Sequence, residues 1–321
     1  MSAPVGLVVN PKSHAVQRKG SVLEAASAGI PDAHLVRAEN FAALGDQIAG
    51  LARHGVRSIF IEGGDGTLHA VLTACFASQK RFSGVPEIAV LPGGSTNLTY
   101  KVCGLRAKTP EQVADYIARY RHDGASVART HQSALRVETG ELAGPAIGML
   151  LSTGSLARVM LYTQRELHGE GARGSRAVAA AAAQFFWSPH QQYDEDGLPV
   201  LCSSRLVASS RAFRIQGDHT LSLMTPLPSL SLRLRPFWGK AAGQIAFTHA
   251  QWPIRGLRTA FLKVITGWTG AQMERHGLTS YRTDQIDLTY AGPLMLDGEI
   301  LPVPADGRIR VSVTSPIRFL R

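Results

Sequence analysis

The sequence predicts a two-domain protein: a doubly wound, mostly parallel α/β domain, followed by an antiparallel, sandwich-type β domain with inserted helices. Over about the first 120 residues, short apolar runs alternate with helix-like segments, which is typical of βαβ units. Near Gly124 the pattern changes to short β-rich runs separated by turn residues. A chain of 321 residues also exceeds one usual domain. We therefore assign residues 1–124 to the first domain and 125–307 to the second.

The elements of the first domain follow from apolar runs and from apolar residues at helical spacing. Phe41, Leu44, Ile48 and Leu51 show that spacing, and Thr109 followed by proline is a helix start. The predicted strands are 5–10, 33–36, 58–62 and 87–91, and the predicted helices are 21–28, 41–54, 67–76 and 109–120.

The second domain is predicted mainly from apolar and β-branched runs bounded by turn residues. The predicted strands lie within 131–139, 146–152, 204–216, 220–225, 229–237, 284–290 and 308–315. Three helices are predicted between them, at 156–167, 176–186 and 255–268.

Charge and cysteine content restrict the partners and the compartment. The net charge of +10 favours an anionic partner such as phosphate, nucleic acid or an acidic membrane, although a general solubility charge explains it equally. No nucleic-acid-binding motif is present, so we expect no nucleic-acid partner. Three distant cysteines without a CxxC pair fit a reducing compartment, and residues 5–9 are interpreted as a first strand rather than a signal peptide. We therefore expect a cytoplasmic protein.

Three predicted strand ends carry unusual turns, and ligands of parallel sheets bind at such ends. Glycine lets a phosphate approach the backbone, and the helix that follows offers unpaired N–H groups. Each turn can also be an ordinary chain reversal that binds no ligand, and this alternative is weakest for the GGDGT turn. His69, which follows that turn, can simply face solvent. The candidate nucleotide-binding residues are Asn10, Pro11, Lys12, Ser13, Gly63, Gly64, Asp65, Gly66, Thr67, His69, Gly94, Ser95, Thr96 and Asn97.

These turns resemble a known family. The segments VVNPKS, IFIEGGDGTLHAVL, VLPGGSTNLTYKV and the late LMLDGEIL stand in the order seen in the diacylglycerol kinase catalytic-domain family, which includes bacterial lipid kinases and sphingosine and ceramide kinases. GGDGT alone is shared with NAD kinases. Neither the P-loop nor the GxGxxG pattern fits. The whole set, spanning Asn10 to Glu299, is more specific than any one motif.

The resemblance implies an ATP-dependent lipid kinase with ATP in a cleft between the domains, and with residues 308–321 returning to the first domain. It implies that Asn10, Lys12 and Ser13 contact ATP and that the GGDGT turn wraps its phosphates. Phosphoryl transfer needs neutralised phosphate charge, supplied in part by Mg²⁺, and a carboxylate that takes the acceptor's proton.

The candidate catalytic carboxylates are Asp65, Asp297 and Glu299. We expect Asp297 or Glu299 to be the base and Asp65 to organise metal or phosphate. The plain alternative for Asp297 and the glycine after it is a hairpin turn.

A lipid acceptor implies peripheral contact with an anionic membrane, and aromatic and basic residues of the second domain suit such a surface. The alternative places the tryptophans in the core and the basic residues on a solvated face. The candidates are Trp238, Trp252, Trp268, Arg233, Arg235, Lys240, Arg255, Arg258 and Lys263. An oligomer is possible.

Departures from the family leave alternatives open. Leu156 replaces an aspartate that sphingosine kinases use for the lipid head, and Ala38 stands near a position where the family often has threonine. The acidic run 194–196 is a weak candidate for structural Mg²⁺. A kinase of a soluble acceptor in the manner of NAD kinase, or a non-catalytic nucleotide-binding regulator, remain the competing functions.

Overall fold

The structure, a computed structural model, describes residues 4–94, 96–161, 199–230, 234 and 236–321. The chain divides into two compact units, Met1–Ala134 with Ser315–Arg321, and Leu135–Thr314. The boundaries predicted from the sequence, at residues 124 and 308, lie closer to the N-terminus than these. The difference arises because a strand at Arg129–Gln132 completes the first sheet, whereas the strand at Arg308–Val313 belongs to the second.

The first unit is built on a six-stranded sheet in the order β2-β1-β3-β4-β17-β5. All neighbouring strands are parallel except β5, which pairs antiparallel with β17. Its strands are β1 (Val5–Val9), β2 (Ala33–Arg37), β3 (Ser58–Gly63), β4 (Glu87–Pro92), β5 (Arg129–Gln132) and β17 (Ile317–Leu320).

Six helices of the first unit, counted over its described residues, accompany this sheet. Asn40 caps α3 by accepting from the N–H of Ala42 at 2.9 Å, and Thr109 caps α6, as its sequence indicated. The helices are α1 (His14–Lys19), α2 (Val22–Ser27), α3 (Phe41–Arg53), α4 (Asp65–Ala77), α5 (Leu98–Cys103) and α6 (Pro110–His122). The sequence predicted α2 but not α1 and α5, although all three helices have six residues.

Both faces of the first sheet are covered. Val5, Leu7 and Val9 of β1 share one core with side chains of α1, α2 and α6, while the intervening Val8 is equally buried toward the opposite face. A strand buried on both faces is expected in a doubly wound parallel sheet. The predicted class of the first unit is therefore confirmed.

The second unit is built on an eleven-stranded sheet in which all pairings are antiparallel. Strands from both ends of the sheet contribute to one core, so the sheet curves around that core in the manner of a sandwich. The strands are β6 (Leu135–Thr139), β7 (Ala146–Gly148), β8 (Leu151–Gly154), β9 (Ser204–Ser209), β10 (Arg214–Thr225), β11 (Ile245–Gln251), β12 (Leu278–Thr283), β13 (Gln285–Tyr290), β14 (Leu294–Leu296), β15 (Glu299–Leu301) and β16 (Arg308–Val313).

Helices accompany the second sheet, as predicted. Residues 155–161 form α7, and Leu257–Thr266 form α8, which a 3₁₀ helix at Ala271–His276 follows. The end of the predicted helix 156–167, the predicted helix 176–186 and the acidic run 194–196 lie outside the described residues. None of the helices in the described ranges is both long and apolar enough to cross a membrane.

Candidate active site

The three turns singled out in the sequence lie at one edge of the first sheet. They follow β1, β3 and β4, which are parallel neighbours, so their carboxyl ends meet. Backbone hydrogen bonds join the turns directly. The N–H of Gly93 donates to the carbonyl of Gly63 at 3.0 Å, and the N–H of Ala15 donates to the carbonyl of Gly93 at 2.9 Å.

Close contact between two backbones accounts for several of the glycines. A methyl group at Gly93 would lie 2.6 Å from the Cα of Gly63, and one at Gly94 would lie 2.6 Å from the Cα of Gly64. No side chain fits at such a distance. The sequence interpretation gave these glycines one role, approach to phosphate; the structure adds a second, which is to let the turns after β3 and β4 pack together.

Side chains of the first turn bind the neighbouring turn. Nδ2 of Asn10 donates to Oγ1 of Thr67 at 2.8 Å, while its Oδ1 accepts from the N–H of Lys12 at 2.9 Å. The hydroxyl of Ser13 donates to the carbonyl of Asn10, and Nζ of Lys12 donates to the carbonyl of Glu39, each at 2.9 Å. These hydrogen bonds therefore stabilise the conformation of the turn after β1 and its contact with the turn after β3.

Asp65 links the second turn to the third. Its Oδ2 accepts from the N–H of Leu98 at 3.0 Å, and its Oδ1 accepts from the N–H of Thr99 at 3.1 Å. Both groups belong to the first turn of α5, where N–H groups lack partners within the helix. Asp65 is the first residue of α4, so its carboxylate joins the N-terminus of α4 to the N-terminus of α5.

Asn97 shapes the third turn. It adopts a left-handed backbone with φ of 49°, a conformation that asparagine tolerates. Its Oδ1 accepts from the N–H of Gly94 at 2.9 Å, and its Nδ2 donates to the carbonyl of Gly94. Thr96 is exposed, and Ser95 lies outside the described residues.

The start of α4 can receive an anion. The helix has 13 residues, and its N-cap, Gly64, has no side chain with which to satisfy the first N–H groups. Those groups and the helix dipole favour negative charge at this point. Pro11 and Gly66 lie in the turn after β1 and the first turn of α4, and His69 lies one turn further along α4, half-exposed.

The sequence interpretation missed Glu62, which is buried at the end of β3. Its carboxylate accepts from the hydroxyl of Ser21 at 2.5 Å and from the N–H groups of Val22 and Leu23, each at 3.0 Å. Glu62 therefore anchors α2 to the strand that leads into the glycine turn. An acidic residue directly after the apolar run 59–61 was the signal that could have revealed it.

In the second unit, Asp297 occupies the hairpin turn between β14 and β15. Its φ of 51° and that of Gly298, 94°, are the conformations that Asp-Gly favours in such turns. Oδ2 accepts from the N–H of Met149 and Oδ1 from the N–H of Leu150, each at 2.8 Å. Gly148 permits this contact, since a methyl group there would lie 2.5 Å from Oδ2. The Asp297 carboxylate thus has a clear structural task.

Glu299 differs from Asp297 although only one residue separates them. It begins β15, and its side chain is exposed. Of the two late carboxylates, Glu299 belongs to the more exposed residue, so a further ligand can reach it. The sequence alone could not separate them, because a hairpin with Asp-Gly at its tip orients the two side chains differently.

Leu156 lies in the first turn of α7, directly after β8. Gly154, at the end of β8, has φ of 66° and donates its N–H to the Tyr290 hydroxyl at 2.9 Å. Beside it, the buried Thr153 hydroxyl lies 3.1 Å from Nε2 of His219. These hydrogen bonds fix the end of β8, from which α7 and Leu156 begin.

No group of three or more histidine, cysteine, aspartate or glutamate side chains suited to a metal occurs within the described ranges. Asp65 has about four acceptor positions, of which two are used by the amides of α5. Its remaining acceptor positions can bind a metal ion directly or through a water molecule. This suits Mg²⁺, which is usually coordinated mainly by substrate phosphates and water.

The edge just described lies within a stretch that is similar to a known protein family. Residues 4–130 match the family model described as the diacylglycerol kinase catalytic domain. The resemblance to this family is thereby confirmed. The match covers β1 to β4 with their turns, which include the candidate nucleotide-binding residues of the first unit.

Solved structures resemble the whole chain in fold. A diacylglycerol kinase from Bacillus anthracis strain Sterne has a TM-score of 0.62 at 11% identity, with 100% of this chain and 97% of that chain covered. A second protein described as a diacylglycerol kinase of the same strain has a TM-score of 0.66 at 12% identity, with 100% and 96% covered. Both support the two-unit fold, and no curated protein sequence matches the chain.

Proposed function

We propose that the protein is an ATP-dependent kinase that transfers a phosphoryl group to the hydroxyl of a lipid, with diacylglycerol or a related lipid alcohol as acceptor. The observation that carries the proposal is the glycine-lined edge of the first sheet, with the uncapped start of α4, inside the stretch that matches the diacylglycerol kinase catalytic domain.

For ATP, we infer that the N–H groups at the start of α4 receive its phosphates, with the turns after β1 and β4 on either side. Mg²⁺ bound to those phosphates would neutralise their charge, which is what phosphoryl transfer requires of a metal. Asn10, Asp65 and Asn97 act as positioning residues, because their side chains already hold the turns in place.

For the base, we propose Glu299 in preference to Asp297. A general base must hold a free lone pair for the acceptor's proton. Both oxygens of Asp297 already accept backbone hydrogen bonds at 2.8 Å, which tie this carboxylate to the turn after β7. The Glu299 side chain is exposed, so an acceptor hydroxyl can reach it.

For the acceptor, Leu156 stands where sphingosine kinases carry an aspartate for the lipid head. A leucine side chain cannot accept a hydrogen bond from an amine or from a hydroxyl, so this position does not select between acceptor classes. Phosphorylation of a soluble acceptor in the manner of NAD kinase is the second candidate, favoured by the GGDGT turn that both families share.

The test is phosphate transfer from γ-labelled ATP to a fractionated lipid extract and, in parallel, to NAD. We expect the label in the organic phase, with a requirement for Mg²⁺. Label confined to water-soluble products would refute the lipid assignment and favour the second candidate. Saturable nucleotide binding without any transfer would indicate the non-catalytic regulator.

A further inference from the structure

The outer face of α8 and the residue just beyond it expose large apolar side chains. Leu262 is 51% exposed, Ile265 is 48% exposed and Trp268 is 76% exposed. The opposite face is packed, with Ala260 buried and Val264 resting on the cluster of Ala250, Ala260, Met273 and Leu278. A soluble surface has little reason to present three large apolar side chains within seven residues.

Basic residues surround this apolar face. Arg258, Leu262 and Ile265 follow one another at four- and three-residue spacing, so they lie along one strip of α8. Arg255 precedes the helix, Arg275 follows it in the 3₁₀ helix, and both are exposed. The segment 253–276 has four basic residues and one acidic residue, Glu274. Apolar side chains bordered by cations match the interface of an anionic bilayer.

The structure also separates the tryptophans that the sequence grouped together. Trp238 packs against the cluster beneath α8, and Trp252 is half-buried, with its backbone N–H donating to the carbonyl of Asp218 at 3.1 Å. Nζ of Lys263 donates to Nε2 of His276 at 3.2 Å, which holds this lysine against the protein. Arg233 and Arg235 lie outside the described residues. Trp268 is therefore the tryptophan of this group that faces outward.

We propose that Leu262, Ile265 and Trp268, bordered by Arg255 and Arg258, form the surface by which the protein docks on an anionic membrane. The inference rests on the proposed function, since a lipid acceptor requires a route to the bilayer. A second copy of the chain fits the surface less well. Three side chains offer far less than the roughly 1,200–2,000 Å² that a stable protein interface buries.

Docking is tested by cosedimentation of the full chain with vesicles, without ATP. The probes are phosphatidylcholine vesicles with and without phosphatidylglycerol. We expect binding to the anionic vesicles that weakens as salt is raised. The triple variant Leu262→Ser, Ile265→Ser, Trp268→Ser should bind at least tenfold more weakly, because each apolar side chain loses its burial. Arg258→Gln should weaken binding about fivefold.

Phe41→Ser is the matched control, since Phe41 is 45% exposed on the first unit and lies outside this surface. Its vesicle binding should equal that of the wild type. Circular dichroism should show that all variants are folded, as the substituted side chains face outward. Equal binding by the wild type and the triple variant would overturn the proposal. So would a dimer that the triple variant dissociates while vesicle binding persists.

The assay separates this proposal from the proposed function. Loss of vesicle binding in the triple variant supports the docking surface even if no lipid is phosphorylated. Phosphorylation of detergent-dispersed lipid by a wild-type chain that ignores anionic vesicles would refute the docking surface and leave the kinase assignment intact.

Discussion

At the scale of single residues, Asp65 and Asp297, two of the three candidate catalytic carboxylates, bind backbone N–H groups and so have structural roles. Asp65 holds the start of α5 through two amides, much as an N-cap side chain would. Replacing such an acceptor by alanine costs about 0.5–2 kcal/mol. We therefore expect Asp65→Ala to lower the free energy of unfolding of the first unit by that amount, measured by denaturant titration. Asp46→Ala, at an exposed position of α3, should leave it unchanged, and equal stability of both variants would contradict the role of Asp65.

At the scale of elements, close packing of the turns after β3 and β4 fixes the edge of the sheet. Gly94→Ala would bring a methyl group against the backbone of Gly64, and such overpacking costs about 1–3 kcal/mol. We expect a corresponding loss of stability and weaker nucleotide binding, measured by thermal unfolding and titration calorimetry. Gly45→Ala is the matched control, because open space surrounds it in α3 and alanine stabilises a helix by about 0.5–1 kcal/mol. A Gly94→Ala variant as stable as the wild type would contradict the close approach.

The same scale shows what the sequence could and could not predict. The main strands and long helices of the first unit were predicted because burial and helical period repeat over many residues. The six-residue helices α1 and α5 were missed, although α2, which is equally short, was predicted. Partners distant along the chain, such as Asp65 with α5 or Asp297 with the amides after β7, depend on turns whose geometry no local pattern reveals.

At the scale of the whole molecule, buried titratable groups in each unit set the dependence on pH. In the second unit, burial and, to a smaller extent, the neighbouring His219 lower the pKa of His249 to about 4. In the first unit, burial raises the pKa of Glu87, but hydrogen bonds from Arg129 and Tyr120 outweigh burial, so its pKa lies below 4.5. Both groups therefore bind protons more readily in the unfolded chain than in the folded one.

The sign follows from that difference. As pH falls from 6.5 toward 4, the unfolded His249 gains a proton that the folded one resists, so stability declines, by at most about 1.4 kcal/mol per pH unit for one proton. The contribution of Glu87 is present above 4.5 and is lost as pH falls through its folded pKa. We expect His249→Gln to reduce the pH dependence of the free energy of unfolding between about pH 6.5 and 4. Glu87→Gln should reduce that dependence below about pH 4.5.

Tryptophan fluorescence should report the first of these effects, since all four tryptophans lie in the second unit. Far-ultraviolet circular dichroism should report both. Stability of the wild type that stays constant between pH 6.5 and 4.5 would show that His249 is not a buried neutral side chain.

The central claim, that this chain phosphorylates a lipid with Glu299 as base, is tested most directly by initial rates with ATP and diacylglycerol in mixed micelles. We expect labelled phosphatidate from the wild type and a loss of at least about 100-fold in kcat for Glu299→Gln, with unchanged thermal stability. Asp297→Asn should instead lower stability, by about 1–3 kcal/mol, because one of the two backbone N–H groups that it accepts from loses its acceptor and meets an NH2 group. No labelled lipid from the wild type, or an unaffected rate in Glu299→Gln, would contradict the claim.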